Sequence, residues 1–256
     1  MNYRGELTNE QWEWIEPLLP PQKPKTGRPA HEHRTVLNGI LWILRTGAPW
    51  RDLPERYGKW TTVYSRFQRW RKKDVWKKVL AEQQTLADQQ GELNWELHFE
   101  DGTIIRAHQH AAGAKKSTPE AEALGRSRGG FGTKLHVRAE GNGRLLTFAL
   151  TPGQQHDFTM TETLLEQGAV FRKATGRERL YPKRLIAEKG YTSRKFRSYL
   201  RKHHIAVTIP HKENERHKGA FDKALYRTRN RVERLFARLK QFRRIATRYE
   251  KRGENF

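Results

Sequence analysis

Cysteine is absent from the 256 residues. The chain therefore cannot form disulfides, use a thiolate nucleophile or hold zinc through sulfur, and this composition suits a reducing cytosol. Long apolar runs are also missing: no stretch of about 18 apolar residues exists, so no membrane span is expected. The first residues contain no apolar signal run. We therefore expect a protein of the cytosol.

Acidic residues are scarce relative to basic ones: 28 Asp and Glu face 51 Lys and Arg, giving a formal charge of +23. A field of this sign attracts polyanions, and nucleic acid is the commonest of them. An acidic membrane surface is the rival partner, but the basic residues spread along the chain instead of decorating one amphipathic anchor. The 8 Trp residues indicate a packed core, which argues against a ribosomal-type structural protein.

Residues 1–90 have helical patterns. Thr8 followed by Gln11 is a capping box, and Pro20 ends the helix behind it. Gly47 is placed to end the next helix. Further helices are predicted at about 32–46, 61–72 and 74–89. We therefore predict an all-α first domain.

Beyond residue 90, apolar and polar residues alternate, which is typical of strands. Strands are predicted at about 95–101, 103–107, 134–139, 144–150, 184–187 and 206–209. Helices are predicted at about 157–167, 193–203 and 223–248. Residues 111–133 are rich in Gly, Lys, Ser and Ala and are expected to form a mobile loop. This order predicts a mixed α/β second domain over 91–256, although many α/β folds share it.

Three carboxylates are candidates for a catalytic site. Asp101 ends a predicted strand before Gly102, Glu188 follows the predicted strand 184–187, and Glu233 lies on the last predicted helix. Phosphoryl transfer on DNA can use two divalent metal ions held by carboxylate oxygens. Taken singly, the first two also fit solvated charges beside turns, and Glu233 fits a salt-bridged helix surface.

Glu233 shares its predicted helix face with Tyr226, Arg229 and Lys240, at helical spacing. This spacing resembles the signature of bacterial insertion-sequence transposases of the insertion-sequence-four and -five supergroup. Four further stretches resemble the insertion-sequence-five family: 42–53 (WILRTGAPWRDL), 101–114 (DGTIIRAHQHAAGA), 151–157 (TPGQQHD) and 229–251. The resemblance covers nearly the whole chain.

The resemblance implies a ribonuclease-H-like mixed sheet flanked by helices, after a helix-turn-helix-like DNA-binding region. It implies a DDE transposase in which Asp101, Glu188 and Glu233 hold Mg²⁺ or Mn²⁺, as two ions. Glu188 stands where the family has Asp, and its extra methylene puts full activity in question because metal sites respond to displacements near an ångström. Asp157 is an alternative, compensating carboxylate. The implied partners are double-stranded DNA, as terminal inverted repeats and target, and a second copy in a synaptic homodimer.

Several other residues are candidates for DNA contacts. Arg229 and Lys240 are expected to hold phosphates near the scissile bond, whereas Tyr226 either stacks on an unpaired base or packs. His108 and His110 are expected to line the site or bind DNA, since carboxylates suit Mg²⁺ better than imidazole. The helix 61–72 is the candidate recognition helix, with three side chains toward a major groove, namely Thr62, Arg66 and Arg69. Its alternative is a plain helical bundle with a basic face. The basic connector either enters a minor groove or stays loose; it contains Lys23, Lys25 and Arg28.

Three functions remain open on the sequence alone. The first is an active transposase that cuts transposon ends and joins them to target DNA. The second is a weakened or inactive relative that binds DNA sequence-specifically, which Glu188 favours. The third is a hydrolytic nuclease of the same fold without joining activity. In each case we expect a bacterial, nucleoid-associated protein of the cytoplasm.

Overall fold

The computed structural model describes residues 4–22, 31–112, 118–127, 129–191, 193–211 and 221–256. Its α-helices are α1 (Asn9–Ile15), α2 (His33–Thr46), α3 (Trp60–Lys72), α4 (Val75–Gln89), α5 (Pro119–Glu122), α6 (Thr161–Glu166), α7 (Arg194–Lys202), α8 (Lys223–Arg227), α9 (Asn230–Lys240) and α10 (Arg243–Ala246). Its strands are β1 (Leu97–Ala107), β2 (Gly125–Ser127), β3 (Gly130–Glu140), β4 (Leu145–Pro152), β5 (Val170–Arg172), β6 (Arg177–Arg179), β7 (Arg184–Ala187), β8 (Ala206–Thr208) and β9 (Thr247–Arg248).

The chain divides into two compact units. The helical unit comprises Met1–Gln83 and Lys240–Thr247, and the sheet unit comprises Gln84–Leu239 and Arg248–Phe256. No helix among the described residues has both the length and the apolar character needed to cross a membrane. The connector residues Lys23, Lys25 and Arg28 lie outside the described residues, so their DNA contacts stay a prediction.

The helical unit is built around apolar faces of α2 and α3. The capping box is present: the Thr8 hydroxyl accepts from the Gln11 amide, and the Gln11 side chain accepts from the Thr8 amide. Gly47 ends α2 in the left-handed region at φ 73°, which glycine adopts without a Cβ penalty. The buried core of this unit contains Leu19, Val36, Leu37, Ile40, Ile43, Leu53, Tyr57, Val63, Trp70 and Val75. The predicted helical region is thus confirmed.

The sheet unit contains a mixed sheet in the order β4-β3-β1-β7-β8, with β2 also pairing with β3 and β9 with β1. β1, β3 and β4 are antiparallel neighbours, whereas β7 and β8 continue the sheet as parallel strands. Helix α7 packs its apolar face, including Phe196 and Leu200, against Leu185 of β7. The predicted fold class, a mixed α/β sheet with flanking helices after a helical region, is confirmed.

The prediction that a strand ends at Asp101 is wrong, because β1 runs unbroken through Asp101 and Gly102 to Ala107. Gly102 pairs with His136 in the antiparallel ladder. A Cβ at Gly102 would lie 2.4 Å from Oδ1 of Asp157. Glycine therefore leaves room here for the Asp157 carboxylate, and it does not mark a turn.

Two other sequence predictions need correction, and one hairpin was missed. The predicted loop 111–133 contains α5, β2 and the start of β3, although residues 113–117 and 128 fall outside the described part. The hairpin of β5 and β6 was not predicted. The predicted helix 223–248 is divided into α8, α9 and α10. The first break follows from Thr228, whose amide and hydroxyl both donate to the Leu225 carbonyl, at 3.0 and 2.6 Å, and tighten the turn.

Candidate active site

The strand register places two of the candidate carboxylates side by side. β1 and β7 are parallel, and Glu100 is the partner of Ala187. The residues that follow in the chain, Asp101 on β1 and Glu188 just after β7, therefore fall at neighbouring positions at the same end of β7. Asp101 is nearly buried, with 10% of its side chain exposed, whereas 48% of the Glu188 side chain is exposed.

Arg229 joins these two carboxylates to the third. It lies in the turn between α8 and α9, and Glu233 is one helical turn further along. Its Nη1 is 2.6 Å from Oδ2 of Asp101. Its Nη2 is 3.0 Å from Oε1 of Glu188 and 2.7 Å from Oε1 of Glu233. Three acidic residues separated by 132 positions in the chain thus converge on one guanidinium.

Two aromatic rings lie beside the Arg229 guanidinium, on the side of α8. The Arg229 guanidinium lies 5.9 Å from the ring centre of Tyr226, within the range of a cation–π contact. The Tyr226 ring in turn lies 5.3 Å from that of Phe221. Because the helix breaks at Thr228, Tyr226 is carried by α8, and the prediction that it shares one continuous helix face with Glu233 is wrong.

The ionisation of Asp101 reflects opposing effects. Burial raises the pKa of the Asp101 carboxyl to about 6, against the lowering effects of the Arg229 charge and the Gly102 amide. Glu188 and Asp157 add smaller raising effects. For Arg229, burial lowers the pKa, but the facing carboxylates outweigh it and the net shift is upward. The guanidinium is therefore a permanent cation between the carboxylates.

The donor set fits a hard divalent cation. Carboxylate oxygens are the ligands that Mg²⁺ and Mn²⁺ prefer, and Mg²⁺ is typically held by one or two carboxylates together with water and substrate phosphates. In the described part of the chain, no three His, Asp or Glu side chains are arranged to hold a metal as they stand. Here the Arg229 guanidinium lies between the three carboxylates, so a metal would have to exchange with it.

Asp157 does not join this group. Its carboxylate lies where a Cβ of Gly102 would be, and Gly102 and Asp101 point to opposite faces of β1 because successive strand residues alternate. Its Oδ2 is 2.8 Å from Nζ of Lys134, and its Oδ1 is 3.5 Å from the Tyr191 hydroxyl. Lys134 and Tyr191 were missed by sequence reasoning. The only sequence signal for Lys134 was its isolated position on a predicted strand.

Two other sets of predicted site residues lie at or just beyond the ends of their elements. The His108 and His110 rings contact each other beyond the end of β1, with ring centres 4.5 Å apart and a tilt of 57°, and His108 also contacts Tyr249. Lys240 is the last residue of α9 and is assigned to the helical unit. Its phosphate contact stays a prediction.

The candidate recognition helix α3 presents two of its three predicted side chains. Arg69 is exposed and Thr62 is partly exposed. Arg66 is buried, so the prediction that it faces a DNA groove is wrong. Its Nη1 donates to Nδ1 of His33 at 2.6 Å, and its guanidinium lies 5.7 Å from the Trp70 ring. The arginine therefore belongs to the packing between α2 and α3.

Family comparison agrees with the geometry. The family described as "Transposase DDE domain" matches residues 100–256, which include all three carboxylates and Arg229. The chain belongs to the DDE transposase family. The helical region matches separately, over residues 7–80, the family described as "Putative transposase of IS4/5 family".

Relatives of this transposase include proteins of bacterial insertion elements. It is 38% identical over 111 residues to the uncharacterized protein y4sN of Sinorhizobium fredii, covering 43% of this chain and 84% of that protein. The 16.2 kDa protein of insertion element IS402 from Burkholderia cepacia is 40% identical over 79 residues, covering 28% of this chain and 54% of that protein. The protein described as "Putative transposase for insertion sequence element IS402" from the same species is 31% identical over 123 residues, covering 48% of this chain and 56% of that protein. The match therefore spans little more than half of each Burkholderia protein.

Solved structures with weaker similarity include two transposase assemblies. A pre-cleavage Mos1 transpososome has 12% sequence identity and a TM-score of 0.29, covering 87% of this chain and 80% of that one. A piggyBac transposase synaptic complex with hairpin DNA has 10% identity and a TM-score of 0.40, covering 81% and 48%. These scores are too low to support an argument about the fold.

Proposed function

We propose that this transposase cuts transposon-end DNA in a metal-dependent reaction and joins the freed end to target DNA. One observation carries the proposal, namely that Asp101, Glu188 and Glu233 converge on the Arg229 guanidinium within 3.0 Å. These are the three carboxylates that the family resemblance assigns to metal binding. A basic protein of net charge +23 would gain little DNA affinity from grouping acidic residues, so a catalytic use explains the grouping better.

Asp101, Glu188 and Glu233 would hold one or two divalent ions. When bound, such ions activate the attacking oxygen and stabilise the leaving oxygen of a phosphodiester. Asp101 comes from the rigid centre of the sheet and fixes the site, whereas Glu188 and Glu233, each about half exposed, can adjust around it. Rigid placement of one ligand on a strand limits the displacement that would slow in-line attack.

Arg229 has two roles in this proposal. Without a metal it neutralises the three carboxylates, which lowers their mutual repulsion. Once it is released from them, its planar fork of donors can hold a phosphate oxygen beside the scissile bond. Tyr226 packs against this guanidinium and keeps it near the carboxylates. Fixed cations at this position favour the charge that develops in the transition state.

The helical unit is proposed to bind the transposon end. Arg69 and Thr62 of α3 lie at its surface, and a helix carrying such side chains can contact base edges and phosphates of a major groove. Cutting and joining two ends in one event requires two active sites, so a synaptic homodimer on double-stranded DNA is part of the proposal.

The test is a cleavage and joining assay with labelled terminal inverted repeats of the element that encodes the chain, in Mg²⁺ or Mn²⁺. The wild-type chain is expected to give cut and joined products. Glu233→Gln should lower cleavage at least about 100-fold while DNA binding, measured in EDTA, stays within about twofold. Glu178→Gln, which removes an exposed carboxylate from β6, is the matched control.

Glu188→Asp restores the residue that the family resemblance expects. We expect this variant to cut faster than the wild type, because the carboxylate retreats by one methylene toward the strand end. Cuts without joined products would indicate a hydrolytic nuclease. Cleavage by Glu233→Gln at the wild-type rate would remove Glu233 from the metal site and refute the proposal.

A further inference from the structure

A pocket of about 360 Å³ lies at the β8 side of the sheet unit. Two arginines and a histidine contribute to its wall, namely Arg184, Arg197 and His211, together with the ring of Phe221. One carboxylate, Asp222, also lines it. The Asp222 side chain accepts from the Leu225 amide at 2.8 Å and caps α8, so its charge is directed partly toward that helix.

The pocket lies at the β8 edge of the sheet and draws on both of its faces: Arg197 comes from α7, which covers the Leu185 face, whereas Arg184 lies on the face of the carboxylate site. Arg184 begins β7 and Glu188 directly follows its end, so the two are four residues apart; continued alternation along the strand directs both to the face on which Asp101 and Glu188 share Arg229. At about 3.3 Å per residue, they are separated by about 13 Å along the strand. Nη1 of Arg184 donates to the Thr208 hydroxyl of the neighbouring strand at 3.0 Å. This bond fixes a guanidinium that has five donors in all.

Aromatic contacts link the pocket to the carboxylates. Phe221 lines the pocket and contacts Tyr226, whose ring lies 5.3 Å away. Tyr226 in turn contacts Arg229, which bonds to Asp101, Glu188 and Glu233. A path of side-chain contacts therefore runs from the basic pocket through two aromatic rings to the Arg229 cation. Proteins bind a single DNA strand through cationic side chains that contact its backbone and aromatic rings on which its bases stack.

We propose that this pocket binds a phosphodiester of the DNA strand that extends from the carboxylate site. Arg184 and Arg197 contact the phosphate, and Phe221 contacts the adjoining base or sugar. The inference rests on the proposed function, which places the scissile phosphate at Asp101, Glu188 and Glu233. A free phosphate would use the arginines, but it would gain nothing from Phe221 or from the path to Arg229.

The first test removes the two arginine charges and measures DNA binding. The probe is a fluorescein-labelled duplex with a single-stranded extension, in EDTA, over a range of NaCl concentrations. Arg184→Gln/Arg197→Gln is expected to bind roughly 10-fold more weakly. The slope of log K against log salt should fall by about 1. Arg184→Lys/Arg197→Lys should recover part of the loss.

The matched control is Lys173→Gln/Arg177→Gln, which removes the same charge from exposed positions of the β5–β6 hairpin. It corrects for the general attraction between a basic protein and DNA. Thermal unfolding of each variant checks that the fold is kept. If the double variant is less stable than the wild type, Arg197→Gln alone replaces it in the binding assay. If the pocket and hairpin variants weaken binding equally, the proposal is overturned.

The second test predicts a change in the opposite direction. Asp222→Asn keeps the helix cap, since Asn and Asp are similar N-cap residues, but it removes the one carboxylate named above in the pocket wall. DNA binding should become about two- to threefold tighter, as expected for a partly screened charge. Weaker binding by Asp222→Asn would contradict the proposal.

Competition separates a DNA strand from free phosphate. A 5′-phosphorylated dinucleotide should displace the labelled DNA from wild type better than an equal concentration of inorganic phosphate, and the difference should disappear in Arg184→Gln/Arg197→Gln. Equal competition by the two would overturn the assignment to a DNA strand. These measurements need no metal and no cleavage. Failure of the Glu233→Gln assay would therefore refute the proposed function without changing the binding result.

Discussion

The two faces of strand β1 place the same chemistry in different settings. Asp101 and Glu100 are adjacent, and successive strand residues point to opposite faces. Each carboxylate is buried, each has a raised pKa because of burial, and each faces an arginine. Asp101 faces Arg229, and Glu100 is paired across the ladder with Arg138. The difference lies in what holds each arginine.

Arg138 is tied to the backbone. Its guanidinium donates to the carbonyls of Leu165 and Leu180, each at 3.1 Å, to that of Gly168 at 3.1 Å, and to that of Gln167. Arg229 is instead bonded to three side-chain carboxylates, two of them about half exposed. The comparison teaches that the Arg138 face is built as permanent structure, whereas the Arg229 face holds a cation that can be exchanged.

The largest expected effect is on the Arg138 face. Arg138→Met should lower the free energy of unfolding by about 3–5 kcal/mol, the usual cost of leaving buried charged and polar groups without their partner. Four carbonyls would lose a donor, and Glu100 would lose its compensating charge. Urea unfolding at neutral pH measures the loss. Arg201→Met, at an exposed position of α7, is the control, and a loss no larger than in this control would contradict the assignment.

His136, on the same face, should make the fold sensitive to acid. Burial lowers the pKa of the His136 imidazole from 6.5 to about 4, so the folded form stays neutral where the unfolded form takes up a proton. Stability is therefore complete above pH 6.5 and falls as the pH drops toward 4. The total loss from this group is about 3 kcal/mol.

The Thr151 hydroxyl lies 2.7 Å from Nε2 of His136. His136→Gln should flatten the acid dependence, because glutamine does not titrate and can still hydrogen-bond to this hydroxyl. The measurement is urea unfolding over a pH series. His156→Gln, at an exposed position, should keep the wild-type profile. An unchanged slope in His136→Gln would show that other groups cause the acid sensitivity.

The Arg229 face should respond to metal instead. Arg229→Gln is expected to cost about 1–2 kcal/mol in EDTA, since two of the three ion pairs are partly screened by solvent. Added Mn²⁺ should restore the stability by mass action, and this variant should bind Mn²⁺ more tightly than wild type. Thermal unfolding and titration calorimetry test both points. Arg234→Gln, at an exposed position of the adjoining helix α9, should show neither effect; if Arg229→Gln also shows neither, Arg229 is structural like Arg138.

The sequence was most informative where one side of an element is apolar. Helix α2 begins and ends within one residue of its predicted bounds, because its apolar stripe repeats at helical spacing. Arg66 was misassigned for a related reason. Periodicity locates the inner face of a helix, but it does not reveal that a long polar side chain on that face is buried against His33.

In the sheet unit the same reasoning fails on the Arg138 face. Alternation in β1 predicts one buried face and one solvent-exposed face. In the structure both faces are covered, and Glu100 and Arg138 are buried. Convergence of Asp101, Glu188 and Glu233 was expected from the family resemblance, since local spacing cannot bring together residues so far apart in the chain. The position of Arg229 between them was not foreseen. The metal-binding role of these residues stays a prediction.

The smallest expected effect tests whether Asp157 contributes to the metal site on the Asp101 face of β1. Its ion pair with Lys134 has side chains 31% and 12% exposed, so Asp157→Asn should cost only about 0.5–1 kcal/mol. If the metal site lies on the Asp101 face alone, Mn²⁺ affinity should be unchanged in Asp157→Asn and strongly reduced in Asp101→Asn. Titration with Mn²⁺ at neutral pH compares the two. An equal reduction in both variants would make Asp157 a fourth ligand and would remove the distinction between the two faces, because a metal would then draw on both sides of β1.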